Sequence, residues 1–105
     1  MLELTDASLL RNQCYINGEW VDADSGETIP VTNPATGDVI GTIPKMGAAE
    51  TRRAIEAAEV AMTGWRAKTA GERAKILRAL FNLMMENQED LGRLMTAEQG
   101  KPLAE

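Results

Sequence analysis

The segment Tyr15–Pro44 most constrains the fold, because it alternates short apolar runs with residues that favour tight turns. Asn17 and Gly18 form a two-residue pair that tolerates the positive φ angles of a type I′ hairpin turn. A second turn is predicted over residues 33–38. The segment therefore predicts two β-hairpins within about residues 14–44.

The second turn follows from three residues. Pro34 fixes its own φ and keeps Asn33 out of the helical region, while Gly37 can adopt a left-handed conformation at little steric cost. The flanking runs Thr28–Thr32 and Val39–Ile43 carry Ile and Val, which favour strands. These runs are the predicted strands of the second hairpin.

Beyond Pro44 the periodicity becomes helical, and helices are predicted at about 48–66, 70–86 and 88–99. The first has an apolar stripe at three- and four-residue spacings, with charges of both signs on the other side. Such a mixed face is typical of solvated helices, a docking patch being the alternative. The stripe comprises Ala54, Ile55, Ala58, Ala61, Met62 and Trp65, and the charged face comprises Glu50, Arg52, Arg53, Glu56 and Glu59. Arg52 and Glu56 are spaced to form an i,i+4 ion pair.

The second helix begins with a capping-box pattern, Thr69 followed three residues later by Glu72. Its apolar residues cover more than one face, so partners are expected on most sides. We therefore expect another part of the protein to cover Leu77–Met85. Met84 and Met85 could also line an adaptable groove, although methionine more often fills a core.

The third helix is predicted to be capped by Asn87, with Asp90 three residues later, and to end at a left-handed Gly100. Pro102 suits the first turn of a further helix over residues 103–105. We therefore expect the domain to be incomplete at its carboxyl end.

Composition excludes several classes of function. Acidic residues outnumber basic ones by 16 to 11, giving a net charge of −5, which disfavours binding to nucleic acid or to anionic lipid. There is no histidine and a single cysteine, Cys14, so neither a Cys–His pair nor a disulfide within the chain can form. No signal peptide or membrane-spanning run is evident, and a cytoplasmic protein is expected.

Five sequence blocks, taken in their order and spacing, resemble the amino-terminal segment of the aldehyde dehydrogenase superfamily. They are INGEW at 16–20, NPATGD at 33–38, the Ala-rich helix ending in Trp65-Arg66, GERAKILR at 71–78 and EQGKPLAE at 98–105. The sequence of residues 81–105 is most similar to the bacterial succinate-semialdehyde dehydrogenase branch of the superfamily. The resemblance implies an α/β parent fold, in which residues 1–105 are the amino-terminal part of the coenzyme-binding domain.

The resemblance also implies the chemistry. In the family a cysteine thiolate attacks the aldehyde, hydride passes to NAD or NADP, and a glutamate-activated water hydrolyses the thioester. Those residues lie downstream, so none of residues 1–105 is assigned a catalytic, coenzyme-binding or metal-binding role. The expectation is an inactive fragment of an enzyme that oxidises succinate semialdehyde to succinate. When intact, it would be a homo-oligomer whose partners are the remainder of its own chain and a small aldehyde.

Three residues are possible sites, and none of them is assigned a catalytic role. Cys14 precedes the first strand, where the family has no catalytic thiol, and Lys101 follows a helix carboxyl terminus, where the dipole favours the charged ammonium. Some family members hold a monovalent cation through backbone carbonyls that would lie near Thr32, with further ligands downstream. A different aldehyde substrate stays open, as does a non-catalytic interaction module or remnant that binds a partner through the apolar helix face.

Overall fold

The computed structural model describes residues 2–105, which form four short strands followed by three helices. The predicted order of hairpin strands and then three helices is confirmed. A 3₁₀ turn over 7–9 precedes the first strand. The strands are β1 (Cys14–Ile16), β2 (Glu19–Val21), β3 (Thr28–Thr32) and β4 (Val39–Pro44), and the helices are α1 (Ala48–Ala67), α2 (Ala70–Glu86) and α3 (Gln88–Gln99).

The first hairpin pairs β1 with β2 antiparallel, with Tyr15 opposite Trp20. Asn17 and Gly18 have φ angles of 52° and 78°, the positive values that a type I′ turn requires. The Tyr15 and Trp20 rings lie 5.1 Å apart between centroids, and the Arg11 guanidinium lies 4.3 Å from the Trp20 ring centroid. The predicted turn pair therefore also sets the register of an aromatic cluster.

The second hairpin pairs β3 with β4 in a separate two-stranded sheet, with a bulge between Val31 and Thr32. Asn33 organises its turn in two ways. The Asn33 amide N–H donates to the Asp38 carbonyl at 2.8 Å, and the Asn33 side-chain oxygen accepts from the Ala35 N–H at 2.9 Å. Gly37 has the predicted left-handed conformation, at φ 80°.

The capping box of α2 forms as predicted. The Glu72 N–H donates to the Thr69 hydroxyl oxygen at 3.2 Å, and the Thr69 N–H donates to the Glu72 carboxylate at 2.8 Å. Two amide groups that the helix itself cannot satisfy are thereby paired. Gly100 ends α3 at φ 85°, also as predicted.

The predicted role of Asn87 as the side-chain cap of α3 is wrong. Asn87 is the only residue between α2 and α3, and its φ of −111° and ψ of 19° depart from the extended conformation of an N-cap. Its side-chain amide donates instead to the Leu83 carbonyl at 2.9 Å, closing the end of α2. Residues 103–105 do not continue as a helix; they form a turn in which the Glu105 N–H donates to the Pro102 carbonyl.

Residues 2–105 do not enclose a hydrophobic core. Only Ala23 and Ala97 are buried among their apolar side chains, and no large side chain there is fully buried. The accessible surface is 8118 Å², whereas a compact protein of this mass exposes about 5,800 Å². The radius of gyration is 16.6 Å, against about 13 Å for a compact domain of similar length. The elements are therefore formed, but they do not close around a shared interior.

Replacing Thr69 with alanine should lower the helix content of the chain. The change removes the hydroxyl acceptor of the capping box, which costs about 1 kcal/mol of helix stability. Far-UV circular dichroism would measure the loss. Thr63→Ala is the matched control, because Thr63 lies inside α1 and alanine is the better helix former there, by up to about 0.7 kcal/mol. Equal losses of helix content in Thr69→Ala and Thr63→Ala would contradict the capping role of Thr69.

Candidate functional site

A groove with a volume of about 860 Å³ lies between the amino-terminal segment, the β3–β4 turn and α3. Its lining mixes apolar side chains, such as Leu10, Val39 and Leu103, with the charged groups Glu3, Asp38 and Arg93. Arg93 is already engaged: its guanidinium donates to the Glu3 carbonyl at 3.3 Å and lies 3.3 Å from the Glu89 carboxylate. The groove therefore offers two acidic side chains and one occupied cation, which suits neither nucleophilic catalysis nor phosphate binding.

Asp90 anchors the amino-terminal segment that forms one wall of this groove. Asp90 is only 4% exposed. Its two carboxylate oxygens accept hydrogen bonds from the N–H groups of Thr5 and Asp6, each at 2.8 Å. These two backbone hydrogen bonds, that of Thr5 first, hold the pKa of Asp90 below its ordinary value. The sequence placed Asp90 only in a helical first turn, and no local pattern pointed to a contact with residues 5 and 6.

Glu50 anchors the loop between β2 and β3 in a similar way. One of its carboxylate oxygens accepts from the Gly47 N–H at 3.3 Å, and the other accepts from the Asp24 N–H at 3.2 Å. Backbone N–H groups, that of Glu50 itself first and that of Asp24 next, lower the pKa of Glu50. The prediction that Glu50 lies on a solvated face is wrong, since the residue is 7% exposed. A carboxylate at the third helical position turns back to the start of its helix instead of facing water.

The ion pair of α1 also differs from the predicted one. Arg53, and not Arg52, is paired among the described residues, with its guanidinium 2.6 Å from the Asp24 carboxylate. The hydrogen bond to Asp24 raises the pKa of Arg53. Both side chains are more than half exposed, so water screens the attraction, and the pair chiefly fixes the position of the loop.

Cys14 and Thr32 lie in two different strands, β1 and β3, and Lys101 follows the end of α3. Cys14 is a half-buried free thiol at the first position of β1, opposite Val21. Lys101 is exposed, and its side-chain nitrogen lies 3.8 Å from the Glu105 carboxylate. The absence of a catalytic role for Cys14 and Lys101 stays a prediction.

Thr32 ends β3 at the bulge and is exposed. Within residues 2–105 there is no group of three or more histidine, cysteine, aspartate or glutamate side chains placed to hold a metal ion. A role for the carbonyl near Thr32 as a cation ligand stays a prediction. No helix within residues 2–105 is both long enough and apolar enough to cross a membrane.

A family model and individual relatives of known name match this sequence and agree on one family. The model of the aldehyde dehydrogenase family matches residues 20–105. The chain is 70% identical over 104 residues to a glutarate-semialdehyde dehydrogenase of Pseudomonas putida, and 65% identical over 104 residues to an NADP-dependent succinate-semialdehyde dehydrogenase of Escherichia coli. Each alignment covers 99% of this chain and 22% of the relative. The chain therefore spans about a fifth of the length of these relatives.

Solved structures agree with the sequence matches. An aldehyde dehydrogenase of Brucella superposes with a TM-score of 0.94 at 56% identity, covering 99% of this chain and 22% of that one. An NADP-dependent enzyme of Escherichia coli superposes with a TM-score of 0.93 at 66% identity, covering 97% and 21%. At these values the likeness extends beyond the general fold to nearly every element of the chain.

Replacing Asp90 with asparagine should release the amino-terminal segment. The substitution replaces one of the two accepting carboxylate oxygens with an NH₂ group, which cannot accept a hydrogen bond from a backbone N–H. The Thr5 and Asp6 amides should therefore exchange with solvent about tenfold faster or more. Amide exchange resolved by NMR would measure this. Glu98→Gln is the control, because Glu98 is an exposed carboxylate of the same helix and does not accept from these amides.

The same contact predicts a pH dependence. Because the pKa of Asp90 is lowered from its ordinary 3.8, the contribution to stability is fully present above about pH 4 and is lost as the pH falls through the lower pKa of the folded chain. Protection of the Thr5 and Asp6 amides, corrected for intrinsic exchange, should be constant from pH 7 to about pH 4. Loss of protection near pH 6, or no effect of Asp90→Asn, would contradict the anchoring role.

Proposed function

Because the chain belongs to the aldehyde dehydrogenase family, we propose that it is the amino-terminal part of the coenzyme-binding domain of an NAD(P)-dependent enzyme that oxidises succinate semialdehyde to succinate. The observation that carries this proposal is the high identity, over nearly the whole chain, to enzymes named for semialdehyde substrates. We further propose that the intact enzyme is a cytoplasmic homo-oligomer.

The substrate class rests on what the names of these relatives share. Glutarate semialdehyde, succinate semialdehyde and 3-sulfolactaldehyde, named in relatives 64% to 70% identical to this chain, each carry an acidic group apart from the aldehyde. We therefore place the substrate among short aldehydes with a distal anion. Glutarate semialdehyde is the second candidate, favoured by the 70% identity to an enzyme of that name.

The coenzyme would bind outside residues 1–105. A betaine aldehyde dehydrogenase of Staphylococcus aureus, 35% identical to this chain, was solved with NAD+, and a glyceraldehyde-3-phosphate dehydrogenase of Bacillus halodurans, 34% identical, with NADP. The groove described above suits a dinucleotide poorly, because Glu3 and Asp38 line it and Arg93 is already engaged. Such a surface would repel a pyrophosphate, so no reaction step is assigned to it.

The contribution of this chain would be structural. Its carboxylate anchors fix the amino-terminal segment and the loop before β3, whereas the nucleophile, base and oxyanion donors would come from downstream residues. The alternative of a free-standing interaction module gains no support from the relatives, which are named as enzymes.

The 105-residue chain alone should oxidise no aldehyde, because we expect the nucleophile, the base and the coenzyme site to lie outside it. Purified chain incubated with succinate semialdehyde and NAD+ or NADP+ should give no rise in the absorbance of reduced nicotinamide. A rise that Cys14→Ser abolishes would overturn both the assignment of chemistry to the downstream chain and the prediction that Cys14 has no catalytic role.

The complete enzyme should oxidise succinate semialdehyde with a kcat/KM at least about a hundredfold above that for butanal. A pocket built to pair the distal carboxylate leaves its polar groups unpaired with the neutral analogue. Steady-state kinetics on both aldehydes, and on glutarate semialdehyde, would measure the preference.

Cys14→Ser and Lys101→Ala serve as controls in the complete enzyme, since neither residue is assigned to the pocket. Both variants should leave the ratio of the two kcat/KM values unchanged. Equal efficiency on succinate semialdehyde and butanal would refute the substrate class, and a preference for glutarate semialdehyde would select the second candidate.

A further inference from the structure

We propose that Asn17 is a site of spontaneous covalent modification, at which the Gly18 backbone nitrogen displaces ammonia from the Asn17 side chain, and that the β1–β2 hairpin controls the rate. The product is an aspartate or an isoaspartate in place of Asn17. The inference goes beyond the proposed function and does not depend on it, because both reacting groups lie at the tip of one hairpin.

The reaction uses only the two neighbouring residues and water. The Gly18 nitrogen bonds to the side-chain carbonyl carbon of Asn17, the bond from that carbon to the amide nitrogen breaks, and ammonia leaves with the proton that Gly18 gives up. The resulting five-membered imide takes up one water. Opening at the side-chain carbonyl gives aspartate, and opening at the backbone carbonyl gives isoaspartate. Nothing is oxidised or reduced, so no cofactor is needed.

The glycine distinguishes Asn17 from the other four asparagines of the chain. Asparagine is a thermolabile residue, and glycine has no Cβ to hinder attack by its own nitrogen. Proline has no N–H and cannot make the attack, while larger side chains hinder it. The other asparagines are followed by Gln13, Pro34, Leu83 and Gln88. Asn17 is therefore the position at which the sequence favours loss of ammonia.

The attacking nitrogen is accessible in the structure. Asn17 and Gly18 are both exposed, and the residues that face each other across the turn are Ile16 and Glu19. Within residues 2–105 the Gly18 N–H makes no backbone hydrogen bond outside the strands. A Cβ placed on Gly18 would meet no atom within 4 Å, so no neighbouring group shields this nitrogen.

The closed turn nevertheless keeps the two reacting groups apart. Ring closure requires the Asn17 Cβ and the Gly18 nitrogen to come to the same side of the Asn17 Cα–C bond. Asn17 has a φ of 52°, in the left-handed region, where a ψ of about 47° places these two atoms nearly opposite each other. The reaction therefore requires the turn to open, and the closed hairpin protects Asn17.

Opening of this hairpin requires few contacts to break. β1 and β2 have three residues each and form a sheet of their own, and a two-stranded hairpin is marginally stable in water. The Tyr15 and Trp20 rings, 5.1 Å apart, join the strands, and the Gln13 side-chain amide donates to the Asp22 carboxylate at 3.1 Å. Local opening against these contacts sets the rate at Asn17.

The two products affect the hairpin differently. An Asp-Gly pair also favours a type I′ turn, so aspartate keeps Tyr15 opposite Trp20 and adds only a negative charge. Isoaspartate adds a methylene to the backbone, which shifts the register and separates the rings. Near-UV circular dichroism should lose the signal of the ring pair in the isoaspartate form. Asn17→Asp is the matched control and should retain that signal.

The first test incubates the 105-residue chain in mildly alkaline buffer made with isotopically labelled water, and follows each asparagine by peptide mapping and mass spectrometry. Asn17 should become aspartate and isoaspartate, each with one oxygen from the solvent, faster than Asn12, which is also exposed but precedes Gln13. In denaturant the difference should reach about tenfold or more, and Gly18→Ala should remove most of it. Conversion of Asn17 no faster than that of Asn12 would overturn the proposal.

The second test examines the role of the hairpin. Trp20→Ala removes the ring contact and should raise the rate at Asn17 in the folded chain about three- to tenfold, without changing the rate in denaturant. Trp65→Ala is the matched control, because it removes the other tryptophan, in α1, and should leave both rates unchanged. Equal rates in the folded chain and in denaturant, or equal effects of the two variants, would overturn the role of the hairpin.

Discussion

The hydrophobic surface of α2 is the constraint on which the rest of the structure depends. Burying a large apolar side chain contributes about 1.5–3 kcal/mol, and this helix leaves seven of them about half exposed. The two hairpins form separate two-stranded sheets, which are too small to cover the surface, and α3 follows α2 after a single residue. The strands and helices are therefore well specified locally, but residues 2–105 do not form an interior that unites them.

Polar contacts to the backbone supply the long-range order that a core would otherwise provide. Asp90 joins α3 to a segment 84 and 85 residues away in sequence, and Glu50 joins α1 to a loop 26 residues away. In both contacts, a carboxylate accepts hydrogen bonds from backbone N–H groups that would otherwise lack partners at turns or at helix starts. Such bonds fix direction and spacing, but they do not replace the free energy of apolar burial.

Features set by a few adjacent residues could be predicted from the sequence. The Asn17-Gly18 turn, the Thr69 capping box and the left-handed Gly100 each depend on local geometry alone, and each is confirmed. The aldehyde dehydrogenase-like α/β parent fold, expected from the resemblance, is confirmed by the solved relatives. The contacts of Asp90 and Glu50 with distant segments were missed or wrongly predicted, and so was the local role of Asn87.

Asn87 and Glu50 show why these predictions failed. The side chain of a residue between two helices can cap either helix. The sequence does not reveal that the Asn87 side chain binds a carbonyl at the end of α2 and makes no capping hydrogen bond to α3. A charged residue on a helix appears solvated unless the loop that packs over it is known, and the loop at Asp24 lies 26 residues away from Glu50. The absence of catalytic, coenzyme-binding and metal-binding residues from this chain stays a prediction.

Scanning calorimetry of the 105-residue chain at several concentrations tests most directly whether these residues lack an interior of their own. A self-contained domain of about 100 residues would unfold with an enthalpy of about 60–80 kcal/mol in one sharp transition. We expect no such transition from the monomeric chain, only a gradual loss of helix. A sharp, concentration-independent transition of that enthalpy in a monomeric sample would contradict the account, because it would require a core that the structure does not contain.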